Sequence, residues 1–267
     1  MKIDRRKFLK LAGATGIGLG LSAADIFAPG TAVEASSGHS RVSTAATRLA
    51  MIIDISKLKT DEDYQRISDA CHRIHNVPVL ITEKEDPKHE IKWIWPDTYE
   101  HAFPEQINEY HPEAFKKKPF PLLCNHCDHP PCVRVCPTKA TFKMPNGIIQ
   151  QDMHRCIGCR FCMAACPYGS RSFNFVDPRP YIKEENPEYP TRTMGVVEKC
   201  TFCSERLQKG LEPACVEASN GALVFGNLND PESEVRQILN TRFTLRRKPS
   251  LGTMPSVFYV IGGEDYA

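Results

Sequence analysis

Eleven of the twelve cysteines in this chain fall into three spaced runs. The first is Cys124-x2-Cys127-x4-Cys132-x3-Cys136, followed by Pro137, and the second is Cys156-x2-Cys159-x2-Cys162-x3-Cys166, followed by Pro167. The third, Cys200-x2-Cys203-x11-Cys215, stops one cysteine short. In the second run three thiolates close enough to wrap one face of an iron–sulfur cube are followed by a fourth and a proline, which turns the chain away and has no N–H of its own. Zinc knuckles also use Cys-x2-Cys units, and an even cysteine count in an exported chain also suits a disulfide framework. Neither accounts for the second run. Cysteines this close make poor disulfides, and a tetrahedral zinc site draws on two separated pairs. The spacings point to 4Fe–4S clusters.

The second run is the bacterial ferredoxin signature, in which the fourth cysteine of a run ligates the other run's cluster. Applied here, Cys124, Cys127, Cys132 and Cys166 hold one cube, and Cys156, Cys159, Cys162 and Cys136 hold the next. The third run supplies Cys200, Cys203 and Cys215, and Ser219 stands where its fourth cysteine would be. Cys71 is the one cysteine left. On a helix expected from about 61 to 75 it shares a face with Tyr64, Ile67 and Ile74, where a lone cysteine is ordinarily a core residue. The count favours a ligand, because Cys71 closes the third site and twelve cysteines then make three complete cubes. Ser219, through its oxygen, is the alternative donor. The expected cofactors are three 4Fe–4S clusters carrying single electrons. Gly158 allows the backbone close to a cluster. His72, His75, His126, His129 and His154 lie near cysteines and read as solvated or structural, since there is no Cys-x-x-Cys-His haem attachment. No phosphate loop or nucleophile–base constellation is found, so the chain reads as no enzyme by itself.

The elements that must position these cysteines give an α+β fold class: two ferredoxin-like modules with inserted loops, nucleated by their clusters and poor in regular secondary structure. One module is continuous, over 119–178. Within it, Ala140–Met144 and Ile148–Gln150 read as a hairpin across Pro145-Asn146-Gly147. The other is split. Its first half, over 51–118, holds a strand at 51–55, the Cys71 helix and an insertion rich in Trp93, Trp95, Tyr99, Phe103, Tyr110 and Phe115; its second half, over 179–227, closes on a strand at 222–225. The insertion reads as cover over the clusters, with a docking surface as the alternative. Residues 228–267 read as a helix N-capped by Asp230, with Pro231 first and Val235, Ile238 and Leu239 on its apolar face, and then an extended tail.

Before these modules, residues 1–35 read as a twin-arginine export signal: Asp4-Arg5-Arg6-Lys7-Phe8-Leu9-Lys10, a weakly apolar stretch with four glycines between Gly13 and Gly20, and cleavage after Val33-Glu34-Ala35. Residues 36–50 read as a linker. A route that exports folded proteins suits clusters built in a reducing compartment, so the expected location is the periplasm, with no membrane span after the signal is removed. The whole chain has 34 Lys+Arg and 32 Asp+Glu. Its first 35 residues hold five basic and three acidic side chains, which leaves the remainder formally neutral and without the basic excess that nucleic-acid binding needs.

The stretches Met51-Ile52-Ile53-Asp54, Pro121-Leu122-Leu123-Cys124-Asn125-His126-Cys127, Arg155-Cys156-Ile157-Gly158-Cys159-Arg160, Lys199-Cys200-Thr201-Phe202-Cys203, Gly210-Leu211-Glu212-Pro213-Ala214-Cys215 and Gly226-Asn227-Leu228-Asn229-Asp230-Pro231 together resemble the four-cluster ferredoxin-type subunits that serve membrane oxidoreductases. The resemblance runs from about residue 51 to the end. That family carries a further four-cysteine run after its first strand; here 56–63 has none, and only its last position survives, as Cys71. Together with Ser219, this deletes one cube and leaves the other intact. A three-cluster exported member resembles the O subunits of Dsr complexes, linked to dissimilatory sulfite reductase. The resemblance implies a quinone-reactive multispan membrane subunit and a multihaem cytochrome c as partners, in sulfite or sulfur metabolism. Two alternatives remain: the iron–sulfur subunit of a molybdenum polysulfide- or tetrathionate-type reductase or of a nitrite reductase system, and a zinc- or disulfide-stabilised exported binding protein.

Overall fold

A computed structural model describes residues 47–80, 89–112, 116 and 118–262, all within one compact unit, Ser43–Ala267. The export signal, most of the linker and Phe115 lie outside the described residues. The strands in chain order are β1 (Leu49–Asp54), β2 (Ile94–Asp97), β3 (Phe120–Leu123), β4 (Thr141–Lys143), β5 (Ile149–Gln151), β6 (Ser172–Phe173), β7 (Val197–Glu198), β8 (Leu223–Asn227), β9 (Thr244–Leu245) and β10 (Val257–Val260).

The largest sheet has the order β8-β1-β10-β9. Its centre, β1, is apolar along nearly its whole length because both faces are covered. Met51 and Ile53 point into the main core, with Tyr64, Ile67, Trp93 and Tyr259. Ala50 and Ile52 point the other way, onto Leu228, Val235 and Val260. β8 runs antiparallel to β1, with Met51 opposite Phe225, which joins residue 51 to residue 225 as the sequence led us to expect. The extended tail does more than expected: β10 enters the sheet parallel to β1, with Ile52 opposite Phe258. Non-local pairing of this kind leaves no signal in a short apolar run.

The helix Asp61–Ile74 begins with a capping box, in which the Lys59 and Thr60 N–H groups donate to the Asp63 carboxylate at 3.0 and 3.1 Å. Its buried face is Tyr64, Ile67 and Cys71. The hairpin expected around Asn146-Gly147 forms from β4 and β5, with Gly147 at φ +85°. The aromatic insertion is cover and core together. Trp93, Tyr99 and Phe103 are buried, and β2 pairs with β3 immediately before Cys124, whereas Tyr110 is exposed. The C-terminal helix starts later than expected, at Glu234. Ser233 is the N-cap, its hydroxyl accepting from Arg236 N–H at 3.3 Å, while Asp230 closes a separate turn by accepting from Glu232 N–H at 3.0 Å. Two capping residues compete here, and the one whose hydroxyl can also donate to Asn227 O, at 2.6 Å, wins.

Around the cysteine runs the helices are single turns: Pro131–Arg134, Phe161–Ala164, Ser204–Leu207 and Ala214–Glu217. Helices this short do not stand alone in water, so their surroundings must fix them.

Candidate metal centres

The residue before the second cysteine of each run has a left-handed backbone: His126 at φ +41°, Gly158 at +70° and Phe202 at +54°. This turn brings backbone N–H groups round toward sulfur, as at Phe202, whose N–H points to Cys200 Sγ at 3.4 Å. A non-glycine residue resists it by roughly 1–2 kcal/mol. His126 and Phe202 are held there by burial and by stacking on one another, with ring centroids 3.7 Å apart. Gly158 has no such freedom to change, because a Cβ on it would lie 2.4 Å from the Gly195 carbonyl oxygen.

The turns and short helices gather the thiols into three quartets. Cys124, Cys127, Cys132 and Cys166 line one small cavity. Cys136, Cys156, Cys159 and Cys162 line another. Each run thus sends its fourth cysteine to the other run's cavity. Both cavities are far smaller than ordinary organic-ligand sites, so they suit a compact inorganic group. The third quartet is Cys71 on the long helix, Cys200 and Cys203 after β7, and Cys215 on Ala214–Glu217, all buried. Ser219 takes no part. Its hydroxyl donates to Val216 O at 2.7 Å and accepts from Leu223 N–H at 2.9 Å, closing the helix end onto β8. The quartets have an order. Cys200 lies beside Cys124, and Cys132 beside Cys162, so the Cys124 quartet is central, between the Cys71 quartet and the Cys156 quartet.

The electrostatics ask for a positively charged filling. Burial first, and then Cys200, Cys203 and Cys215, push the Cys71 thiol far above its ordinary value. Burial, and then Cys124, pushes Cys127 up to about 12, and burial with Cys200 does the same at Cys215. Four such thiols ionise together only when metal supplies the counter-charge. Two buried cations then ask for the opposite. Arg171 is 5% exposed and Lys199 is not exposed at all. Arg171 Nη1 donates to Thr141 Oγ1 at 3.2 Å and Gln151 Oε1 at 3.0 Å; Lys199 Nζ donates to Ile149 O and to Cys200 O, the latter at 2.7 Å. Burial, and the nearby Arg171 charge, pull the Lys199 amine below its ordinary value, while Cys124, Cys200 and Cys132 work against them. Among the described residues neither cation pairs with a carboxylate. Burying two unpaired cations costs several kcal/mol each, and a group with net charge of about −2, the value for a cube bound by four thiolates, removes that cost. Thiols that need metal and cations that need an anion are both satisfied by iron–sulfur clusters.

Several functional side chains carried no signal of their own in the sequence. Arg171 and Lys199 are residue types that default to the surface. His75, expected only as solvated or structural, is buried. Its Nδ1 is 2.9 Å from Cys71 O and 3.7 Å from Cys71 Sγ, and its Nε2 is 2.8 Å from a Glu205 carboxylate oxygen. Burial works against the Glu205 carboxylate, yet the His75 hydrogen bond holds its pKa below the ordinary value. His75, Cys203 and Glu205 place ligand atoms within 4.8 Å of one another. Arg192 and Glu198 form a fully buried ion pair at 2.7 Å; Glu198 also accepts from Trp93 Nε1 at 2.9 Å, and Arg192 Nη2 donates to Asn76 O at 2.7 Å. That network ties the end of the Cys71 helix to the strand that leads into Cys200. Of the other four histidines named from the sequence, His126 is buried and structural, His72 is half-buried, and His129 and His154 are exposed.

Fold, cysteine quartets and charge define a ferredoxin-type iron–sulfur protein, and residues 115–228 match the family described as the 4Fe-4S dicluster domain. The chain belongs to the iron–sulfur subunits of membrane oxidoreductases, which pass electrons and leave catalysis to other subunits. It is 44% identical over 286 aligned positions to the Hdr-like menaquinol oxidoreductase iron-sulfur subunit 1 of Archaeoglobus fulgidus, spanning 98% of this chain and 100% of that one. It is 36% identical to the menaquinone reductase iron-sulfur cluster-binding subunit of Nitratidesulfovibrio vulgaris, over 72% of this chain and 81% of that one. Protein NrfC of Escherichia coli is 37% identical, over 72% of each chain. Among the described residues no helix is long and apolar enough to cross a membrane.

Proposed function

We propose that this protein carries single electrons through three 4Fe–4S clusters, between a quinone-reactive multispan membrane subunit and a multihaem cytochrome c or another redox partner. The observation that carries the count is the meeting of Cys71 with Cys200, Cys203 and Cys215, which leaves no cysteine outside a quartet. The ligands are Cys124, Cys127, Cys132 and Cys166 for the central cluster, Cys156, Cys159, Cys162 and Cys136 for one neighbour, and Cys200, Cys203, Cys215 and Cys71 for the other. Two ferredoxin-like modules carry them, one continuous over 119–178 and one split between 51–118 and 179–227. The clusters supply one-electron storage; the chain fixes their spacing, keeps water away and sets the local charge.

The relatives whose names mention menaquinol and menaquinone support a quinone-linked partner. The twin-arginine pattern at residues 1–35 supports a periplasmic site, reached by export of the folded protein. The absence of the family's first cysteine run and the serine at 219 support a place in a Dsr-type complex of sulfite or sulfur metabolism. Cys203, His75 and Glu205 favour a second reading of one site alone, in which the Cys71 quartet holds a single metal ion in place of a cube.

Iron and acid-labile sulfide analysis of purified protein tests both readings. Three cubes require about twelve of each per chain, and Cys71→Ser removes about four of each while leaving the other two clusters spectroscopically intact. A value of about eight that Cys71→Ser does not lower sinks the third cube. Zinc in place of iron sinks the whole proposal.

A further inference from the structure

We infer that the central cluster is the highest-potential of the three and takes the first electron, because Arg171 and Lys199 both face it. The inference rests on the three-cluster reading above. Arg171 lines the central cavity with Cys124, Cys127, Cys132 and Cys166, and its guanidinium, which stays charged at any working pH, lies beside Cys132 and Cys124 there and Cys162 of the Cys156 quartet. Lys199 Nζ donates to Cys200 O of the Cys71 quartet at 2.7 Å and to the carbonyl of Ile149, which lines the central cavity, and so lies beside Cys124 and Cys132 as well as Cys200. The central site therefore meets both buried cations, and each neighbour meets only one of them; of the other cations near the end sites, Arg206 beside Cys203 and Cys215 is paired with Glu217 at 2.6 Å, and Arg160 beside the Cys156 quartet is exposed to solvent.

Both cations are buried, so solvent and salt screen them weakly. Accepting an electron makes a cluster more negative by one charge. A nearby cation lowers the energy of that reduced state more than that of the oxidised state, and the potential rises. Neighbouring carboxylates sharpen the contrast. Glu205 lies beside Cys71 and Cys203 and works in the opposite direction on the third cluster. Asp128, next in sequence to Cys127, is turned to Lys143 and Arg48 and neutralised there. The result is a wire with its lowest-energy resting place in the middle, filled from either end.

The test is a redox titration of purified, cluster-loaded protein followed by electron paramagnetic resonance, on the unmodified chain and on Arg171→Met, Lys199→Met, Arg171→Lys and Lys199→Arg. Cys71→Ser identifies the third cluster's signal by its loss. In the unmodified chain the highest-potential signal should belong to neither the third cluster nor the Cys156 quartet. Each methionine variant should lower that same signal, by at least a tenfold change in its oxidised-to-reduced ratio at fixed potential, about 59 mV for one electron. Lys199→Met should also lower the third cluster's signal, and Arg171→Met the remaining one. The charge-retaining variants should titrate close to the unmodified chain. The inference is overturned if the highest signal moves in neither methionine variant, or if it moves equally in the charge-retaining ones. A methionine variant that loses a cube, with potentials of the rest unchanged, also overturns it, since the cation would then hold a cluster in place without tuning it. Iron content keeps the two readings apart. About twelve iron with unmoved potentials removes only this inference, whereas about eight removes the three-cluster reading.

Discussion

At the residue scale the cysteine runs work because one backbone conformation is repeated before the second cysteine of each. Gly158 is the position where that conformation and a close contact coincide. At φ +70°, with the Gly195 oxygen 2.4 Å and Phe173 Cε2 3.1 Å from where a Cβ would be, neither the backbone nor the neighbours can give. Gly158→Ala should destabilise the protein by about 1–3 kcal/mol and empty the Cys156 site in preference to the others. Iron analysis beside a thermal melt reads this out: full iron with an unchanged melting midpoint would show that the turn is not needed. His126 and Phe202 meet the same demand by stacking, a solution open only where a second buried ring is available.

At the scale of elements, the long helix carrying Cys71 has to be anchored to a strand more than a hundred residues further on. The Arg192–Glu198 pair does this. Glu198 is completely buried, so its partner's removal leaves a bare carboxylate in the interior. Arg192→Met should cost about 3–5 kcal/mol, measured by denaturant unfolding, and should lower iron at the Cys71 site first. Replacing Glu198 by Gln in the same chain should recover part of that loss. No recovery in the double variant would mean that Arg192 acts through its bonds to the His75 and Asn76 carbonyls. The helix itself was legible, because its Tyr64, Ile67, Cys71 face follows from spacing. The start of the C-terminal helix was not, because Asp230 and Ser233 are both good caps and the choice depends on where Asn227 O lies.

At the scale of the whole molecule, apolar core is unevenly shared. The sheet β8-β1-β10-β9, the long helix and the tryptophan-rich insertion enclose the largest core, whereas the region between the central and Cys156 quartets is backed by little more than Ile149 and Val197. The one-turn helices there depend on what they ligate. Chelating the clusters under reducing conditions should strip hydrogen-exchange protection from residues around 131–134 and 161–164 while β1, β8 and β10 keep theirs. The uncompensated charges of Arg171 and Lys199 add to this local opening. Uniform loss of protection in all these elements would show a single cooperative unit instead.

By itself the sequence pointed to the chemistry: eleven cysteines at ligand spacing, the exchange of fourth cysteines expected between two runs, and the family to which the chain belongs. Such signals are local, since a cluster needs several thiolates from one short stretch and an Asn-Gly turn is written in neighbouring residues. Tertiary structure decided what depends on distant parts of the chain coming together. It brought Cys71 to Cys203 and turned the Ser219 hydroxyl away to β8. It drew residues 257–260 into the sheet beside β1, and it put Arg171 and Lys199, residues of surface type, inside between the quartets. Burial and charge of this kind arise only when the chain closes on itself, so no run of neighbouring residues records them.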